Sequence, residues 1–338
     1  MGERITLDHG SGGRRSRDLV RSLFQARFSN DVLDAETDAA ILDPFGDRNE
    51  LALTTDAHVV KPLWFPGGDI GRLAICGTVN DLTVAGAEPR YICASFIIEE
   101  GFALEDLESI TDSMADAAAE AGVRVVAGDT KVVERGACDG LFIATSGVGV
   151  VPTGRRGIAT AAGVEPGDSI LVNGPIGDHG AAIACVRNGI TTDPPLVSDC
   201  APLWAPVRTL YDAGITPHFM RDATRGGLTT VLCELAEMRS VGIEVREQDI
   251  PVRDTVRGVC ELYGFDPLAL ANEGTMICVV SAAQAGRAIE VLRQHKLGRM
   301  AASIGHIGDR GGRAEMITAV GGRRILRMLA GEQLPRIC

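Results

Sequence analysis

LEDLESITDSMADAAAEAGVRVVAGDTK, residues 104–131, carries the reading that decides the fold. Leu104, Leu107, Ile110, Met114, Ala117 and Ala121 recur at three- and four-residue spacing, which places one apolar stripe along a helix. Glu105 and Asp106 stand at its start, where the helix dipole favours negative charge, and Gly122 stops it. Residues 123–127 then read as a buried strand running into Gly128-Asp129-Thr130-Lys131. A helix followed at once by an apolar strand is the layering unit of a mixed α/β domain.

The same grammar extends in both directions. Upstream, a helical run spans 16–28, a strand spans 51–55 and ends at Asp56, and a helix starts at Ile70 with Asn80 and Asp81 near its end. Downstream, 141–151 is a strand and 152–156 reads as a connection between domains. The second half predicts strands at 169–173, 242–246, 276–280 and 303–307, with helices at 203–213, 255–263 and 282–294 and another after Gly227. At 338 residues, 45% of them apolar, the chain has material for two cores. The expectation is an α/β (α+β) protein of two tandem mixed α/β domains, 1–155 and 156–309, with a flexible tail over 310–338.

Composition excludes several classes. A net charge of −12 argues against nucleic acid as a partner. The tail alone is basic, six arginines against two glutamates, so it can be drawn toward an acidic body or an acidic partner. Nine cysteines without a C-x-x-C pair suit a reducing compartment and disfavour a disulfide framework or a thiolate zinc site. There is no signal peptide and no apolar run long enough to span a bilayer, so a soluble cytoplasmic protein without a membrane partner is expected.

Chemistry is suggested by scattered carboxylates and glycine turns. His9-Gly10-Ser11-Gly12-Gly13 precedes a helix and offers backbone N–H groups to a phosphate, without the lysine of a Walker A loop. Asp38, Asp56 and Asp81 each follow or interrupt an apolar stretch, positions that suit either turn and cap residues or ligands of a hard cation. Asp222 lies between Arg221 and Arg225 before Gly226 and Gly227, where it is either ion-paired or part of a phosphate and metal site. The chain closes on Leu334-Pro335-Arg336-Ile337-Cys338, a thiol at the end of a stretch that proline keeps extended.

The order of these motifs resembles the ATP-binding superfamily of aminoimidazole ribonucleotide synthetase, selenophosphate synthetase and thiamine-monophosphate kinase. Thr54-Thr55-Asp56, Ile75-Cys76-Gly77-Thr78-Val79-Asn80-Asp81-Leu82, Gly128-Asp129-Thr130-Lys131, Asp178-His179-Gly180, Arg221-Asp222-Ala223-Thr224-Arg225-Gly226-Gly227 and Ala271-Asn272-Glu273-Gly274 carry it, and the terminal Pro335-Arg336-Ile337-Cys338 narrows it to the HypE branch, the hydrogenase-maturation carbamoyl dehydratases. That resemblance implies an ATP- and Mg²⁺-dependent dehydration of a carbamoyl group carried on Cys338, giving an S-cyano group destined for the iron of a [NiFe] hydrogenase. It implies ATP contacts at Gly10, Ser11, Gly12, Gly13, Asp38, Asp56, Asn80, Asp81, Asp129, Thr130, Asp222, Arg225, Gly226 and Gly227. Asp38, Asp56, Asp81 and Asp222 are the implied Mg²⁺ ligands, with Glu273 as base and Lys131 as stabiliser of the amide oxygen beside Cys338. The implied partners are the carbamoyltransferase HypF, the HypC–HypD iron scaffold and a second copy of the chain. A selenophosphate synthetase would need a reactive cysteine near its N-terminus, and none precedes Cys76.

Overall fold

A computed structural model describes residues 4–6, 19–30, 49–329, 333–334 and 336–338. The first sheet has four strands in the order β1-β6-β4-β5: β1 (Glu50–His58), β6 (Leu141–Val151), β4 (Glu88–Glu99) and β5 (Arg124–Val133). β2 (Trp64–Phe65) and β3 (Gly68–Asp69) form a small separate ladder. β4 and β5 are parallel, so the chain must cross over between them, and the 104–131 stretch does this with α2 (Leu104–Ala121). α2 ends on Gly122 in the left-handed conformation, φ 72°.

α1 (Ile70–Val84) and α2 cover one face of this sheet. Leu73, Ile75, Val79, Ile110 and Met114 pack against Ala94, Phe96, Ile98 and Ile143. The opposite face has no cover among the described residues, and Leu51, Leu53 and Ile97 are exposed there. Strand alternation divides β1 accordingly. Thr54, Asp56 and His58 turn toward α1, while Leu51, Leu53 and Thr55 turn outward.

The second sheet has seven strands in the order β13-β12-β9-β11-β7-β10-β8. These are β7 (Ser169–Val172), β8 (Phe219–Asp222), β9 (Val241–Arg246), β10 (Met276–Val280), β11 (Ala302–Arg310), β12 (Arg313–Ile317) and β13 (Arg323–Ile325). Its centre is buried on both faces. Ile170, Val172, Ile277 and Val279 join the core beneath α5 (Gly227–Arg239), and Leu171, Met276, Cys278 and Val280 join that beneath α4 (Trp204–Asp212) and α7 (Ala282–Arg293). α3 (Asp178–Arg187) and α6 (Asp254–Tyr263) share a smaller core.

Two expectations change. The strand expected over 123–127 runs longer, because residues 128–131 pair with 94–97 of β4 and the strand continues to Val133. Gly128 is what this register requires, since a Cβ there would lie 2.7 Å from the Ala94 carbonyl oxygen. The tail is also shorter than the expected span from residue 310. Arg313–Ile317 pairs with β9 and Arg323–Ile325 pairs with β12, so hydrogen bonding incorporates much of the glycine-punctuated stretch into the sheet. No described helix is long and apolar enough to cross a membrane.

Candidate active site

β1 and the end of α1 from the first sheet face β8 and the start of α5 from the second across a cleft of about 430 Å³. Thr54, Asp81, Arg221, Asp222, Thr224, Arg225 and Glu234 line it. Asp81 sits in the last turn of α1 and accepts a 2.8 Å hydrogen bond from the Thr54 hydroxyl. Asp222 closes β8, and the chain then passes through Gly226 and Gly227, both at positive φ, into α5. A Cβ on Gly227 would lie 2.5 Å from the Leu270 carbonyl oxygen, so only glycine lets this loop pass close to the 268–271 segment.

The carboxylates of the cleft raise one another. Burial, then the charges of Asp81 and Asp56, push Asp222 up to about 7. Burial raises Asp81 as well, opposed by the Thr54 hydroxyl and reinforced by Asp56. Glu273, 3% exposed, is held far above the carboxylate range by burial first and then by Asp199, Asp222 and Asp56. Its Oε1 is buried and has no hydrogen-bond partner among the described residues. Such a set accepts positive charge readily. Among the described residues no three His, Cys, Asp or Glu side chains converge to enclose a metal ion. The hard carboxylate oxygens of Asp81 and Asp222 are the kind of ligand Mg²⁺ shares with phosphate oxygens and water.

The chain's own C-terminus occupies a seat beside the cleft. The Val59 N–H donates to the Cys338 carbonyl at 3.1 Å and the Lys61 N–H to the Arg336 carbonyl at 3.3 Å, an antiparallel pairing just beyond β1. Ile337 is 4% exposed in the first-domain core, which also holds Val60, Phe65, Cys200 and Ala271, and Cys338 packs against that core. His179 Nε2 lies 2.8 Å from the Ile337 carbonyl oxygen. At the rim, Asp139 takes both Lys61 and Arg336, at 2.8 and 2.7 Å. A cavity of about 230 Å³ is lined by Leu329, Leu334 and Ile337 of this last segment together with Arg225, Gly226 and Thr230. Arg225 and Thr230 line the large cleft too, so the two spaces adjoin.

The sequence-derived site residues are only partly assembled. Asp81, Asp222 and Arg225 line the cleft, Asp56 and Glu273 act on it electrostatically, and Gly226 and Gly227 shape its edge. Asn80 is fully engaged elsewhere. Its amide donates to the Ala201 and Glu273 carbonyls and its oxygen accepts from the Leu203 N–H, so it ties α1 to the second domain. Asp129, Thr130 and Lys131 lie on β5, at the opposite edge of the sheet from β1, and Lys131 pairs with Asp129 at 2.7 Å with both side chains about 60% exposed. His9, Gly10, Ser11, Gly12, Gly13 and Asp38 lie outside the described residues.

Sequence reasoning missed three contributors. Asp199, half-buried, accepts from the Glu273 and Gly274 N–H groups and the Thr275 hydroxyl, and so shapes the Glu273 loop. His58, whose Nε2 is 3.5 Å from Asp56, backs the β1 carboxylate. Ser198 sits behind His179 at 2.8 Å. The local sequence around each shows only an ordinary loop or strand polar residue.

Comparison with known proteins places this architecture. The sequence models of the AIR synthase related protein N-terminal and C-terminal domains match residues 36–151 and 165–317. A carbamoyl dehydratase HypE from Rhizobium leguminosarum bv. viciae is 47% identical over 99% of this chain and 95% of its own length. A crystal structure of hydrogenase maturation protein HypE in complex with ATP superposes with a TM-score of 0.94 at 46% identity, covering 98% of this chain and 99% of that one. The corresponding chain in a HypE–HypF complex gives 0.78 at 45% identity, covering 92% and 99%.

Proposed function

This chain belongs to the HypE carbamoyl dehydratase family of AIR synthase related proteins, and from that premise we propose that it dehydrates an S-carbamoyl group on its own Cys338 to an S-cyano group. The reaction consumes ATP and serves cyanide-ligand synthesis for a [NiFe] hydrogenase. The observation that supports this reading best is the seat of the C-terminus. Ile337 and Leu334 line a cavity adjoining a carboxylate-rich cleft through Arg225 and Thr230.

The chemistry needs a leaving group, because a carboxamide does not expel oxide. The γ-phosphoryl group of ATP passes to the carbamoyl oxygen, ADP departs, and loss of the two nitrogen protons expels phosphate and leaves S–C≡N. The net change converts RS–CO–NH₂ and ATP to RS–CN, ADP and phosphate. Asp56, Asp81 and Asp222, with Asp38 outside the described residues, are the proposed Mg²⁺ ligands. Mg²⁺ would offset phosphate charge that an acidic cleft otherwise repels. Arg225, at the border between cleft and tail cavity, is placed to meet phosphate oxygens.

Glu273 is the proposed base. Burial and neighbouring carboxylates hold its proton in the resting protein, and added positive charge in the cleft favours the carboxylate that can accept one from nitrogen. The role proposed for Lys131, stabilising the amide oxygen, requires it to leave Asp129. The uncovered sheet face bearing Leu51, Leu53 and Ile97 suits a second copy of the chain, and a homodimer is proposed. The complexed relative makes a HypF-type carbamoyltransferase the proposed donor, with a HypC–HypD scaffold as acceptor of the cyanide. The deciding experiment is the mass of the C-terminal peptide from HypF-loaded protein before and after Mg-ATP. Loss of one water with the group still on Cys338 is expected. An unchanged mass, or the group on another cysteine, would falsify the reading.

A further inference from the structure

His179 is completely buried in the first turn of α3, and burial lowers it to about 4, so the ring is neutral. A neutral imidazole carries one N–H. The Ile337 carbonyl oxygen, 2.8 Å from Nε2, can only accept, so the proton is on Nε2 and Nδ1 is bare. Nδ1 lies 2.8 Å from the Ser198 hydroxyl, which therefore donates to it. The serine oxygen in turn accepts the Cys200 N–H at 3.1 Å. Phe65 meets the imidazole edge-on, ring centroids 5.3 Å apart at 87°, and fixes its plane. One polar chain thus runs from the Cys200 amide through Ser198 and His179 to the peptide carbonyl immediately before Cys338.

We propose that Ser198 and His179 form a latch that registers the tail: Ser198 holds the imidazole in its Nε2–H tautomer, and His179 holds the Ile337 carbonyl, setting how far the Cys338 sulfur reaches. The latch deepens the reading of Cys338 as the carrier and rests on it. It makes His179 a positioning residue. With its N–H committed to the tail and its lone pair to Ser198, the ring is not disposed to take a proton from the carbamoyl nitrogen. It reads backbone, so the carbonyl contact is indifferent to side-chain identity at 337. The Ile337 side chain seats separately in the core beside Val60 and Phe65.

The test is the rate at which iodoacetamide alkylates each cysteine of the intact, nucleotide-free protein, read peptide by peptide by mass spectrometry. His179→Phe keeps a flat ring without hydrogen bonds and is expected to speed alkylation of Cys338 at least tenfold. His179→Gln, which places an amide donor near the Nε2 position, should stay within about threefold of wild type. Ser198→Ala, a small change that also serves if His179→Phe does not fold, frees the tautomer and should give an intermediate gain. The buried Cys233 and Cys278, in the cores of the second sheet and away from the Ser198–Cys200 contact, are internal controls: a latch changes the Cys338 peptide and not theirs. Equal rates at Cys338 in wild type, His179→Phe and Ser198→Ala would overturn the latch, as would parallel gains at Cys233 and Cys278, the mark of a purely structural role. The readout uses neither ATP nor a carbamoyl donor. If wild type fails to dehydrate its loaded tail while these rates behave as expected, the function falls and the latch stands.

Discussion

The carboxylate-lined cleft and the tail seat lie side by side and are built on opposite principles. In the cleft, Asp56, Asp81 and Asp222 repel one another, and Glu273 adds a buried oxygen with no partner among the described residues. In the seat, Val59, Lys61 and His179 supply hydrogen bonds to the last three residues, and Asp139 pairs with Arg336 at the rim. A region left electrostatically incomplete is one that a ligand completes. A region whose polar groups are already matched binds what the chain itself provides. With ATP in the cleft, as proposed, nucleotide and tail would be recognised by separate means, so damage to one should leave the other intact.

The strongest challenge to that separation is Cys338→Ala. It should abolish cyanation altogether while Mg-ATP affinity and thermal stability remain as in wild type, measured by calorimetry and melting. Loss of ATP binding would show that the two regions are one. Glu273→Gln should bind ATP and accept the carbamoyl group yet dehydrate ~10²–10⁴-fold more slowly in single turnover. A wild-type rate would remove Glu273 from the chemistry. Asp222→Asn should weaken Mg-ATP binding about tenfold or more, ~1.4 kcal/mol, without changing Cys338 alkylation.

Acid–base behaviour sharpens the contrast, because the two regions should tilt stability in opposite directions. Asp222 is raised from the usual carboxylate value to about 7, so the folded, metal-free protein binds a proton that the unfolded chain releases. Its contribution is full below pH 4 and is lost as pH rises through about 7. His179 is lowered from 6.5 to about 4, so the unfolded chain takes the proton first. Its contribution is present above pH 6.5 and is lost as pH falls toward 4, ~3 kcal/mol across that window. Urea unfolding between pH 4 and 7 without Mg²⁺ or nucleotide should therefore show stability rising more with pH in Asp222→Asn, and rising less in His179→Gln, than in wild type. Identical slopes in all three proteins would refute both assignments. The smallest effect is expected at the rim. Asp139→Asn removes exposed ion pairs whose typical worth is ~0.2–1 kcal/mol, so Cys338 alkylation should quicken by no more than about fivefold, and less at high salt.

The layering was legible where periodicity and stop signals agreed. Residues 276–280 read as a strand and are one, and the helix beginning at 104 ends on Gly122 as its glycine announces. The strand read over 123–127 stops short of Gly128-Asp129-Thr130, which pairing with the neighbouring β4 holds extended. Likewise Gly311, Gly312, Gly321 and Gly322 suggest a loose tail, whereas β9 lies beside 313–317 and captures it. The cleft carboxylates were recognisable from their order along the chain. His179 was recognisable as a residue but not as a tail contact, since its partner is 158 positions away and presents only a backbone carbonyl. Lys131 read as a group beside Cys338, and its ammonium meets Asp129 two residues away on β5.

The short antiparallel pairing of 336–338 with 59–61 makes the C-terminus a tethered ligand of its own protein. A tethered group experiences its site at an effective concentration of order millimolar, so an intrinsic dissociation constant of ~1 mM, roughly −4 kcal/mol, already gives substantial occupancy. The seat therefore needs little intrinsic affinity. A peptide copying the last residues should bind poorly from solution, and a second enzyme that must borrow the tail faces a competitor of only a few kilocalories.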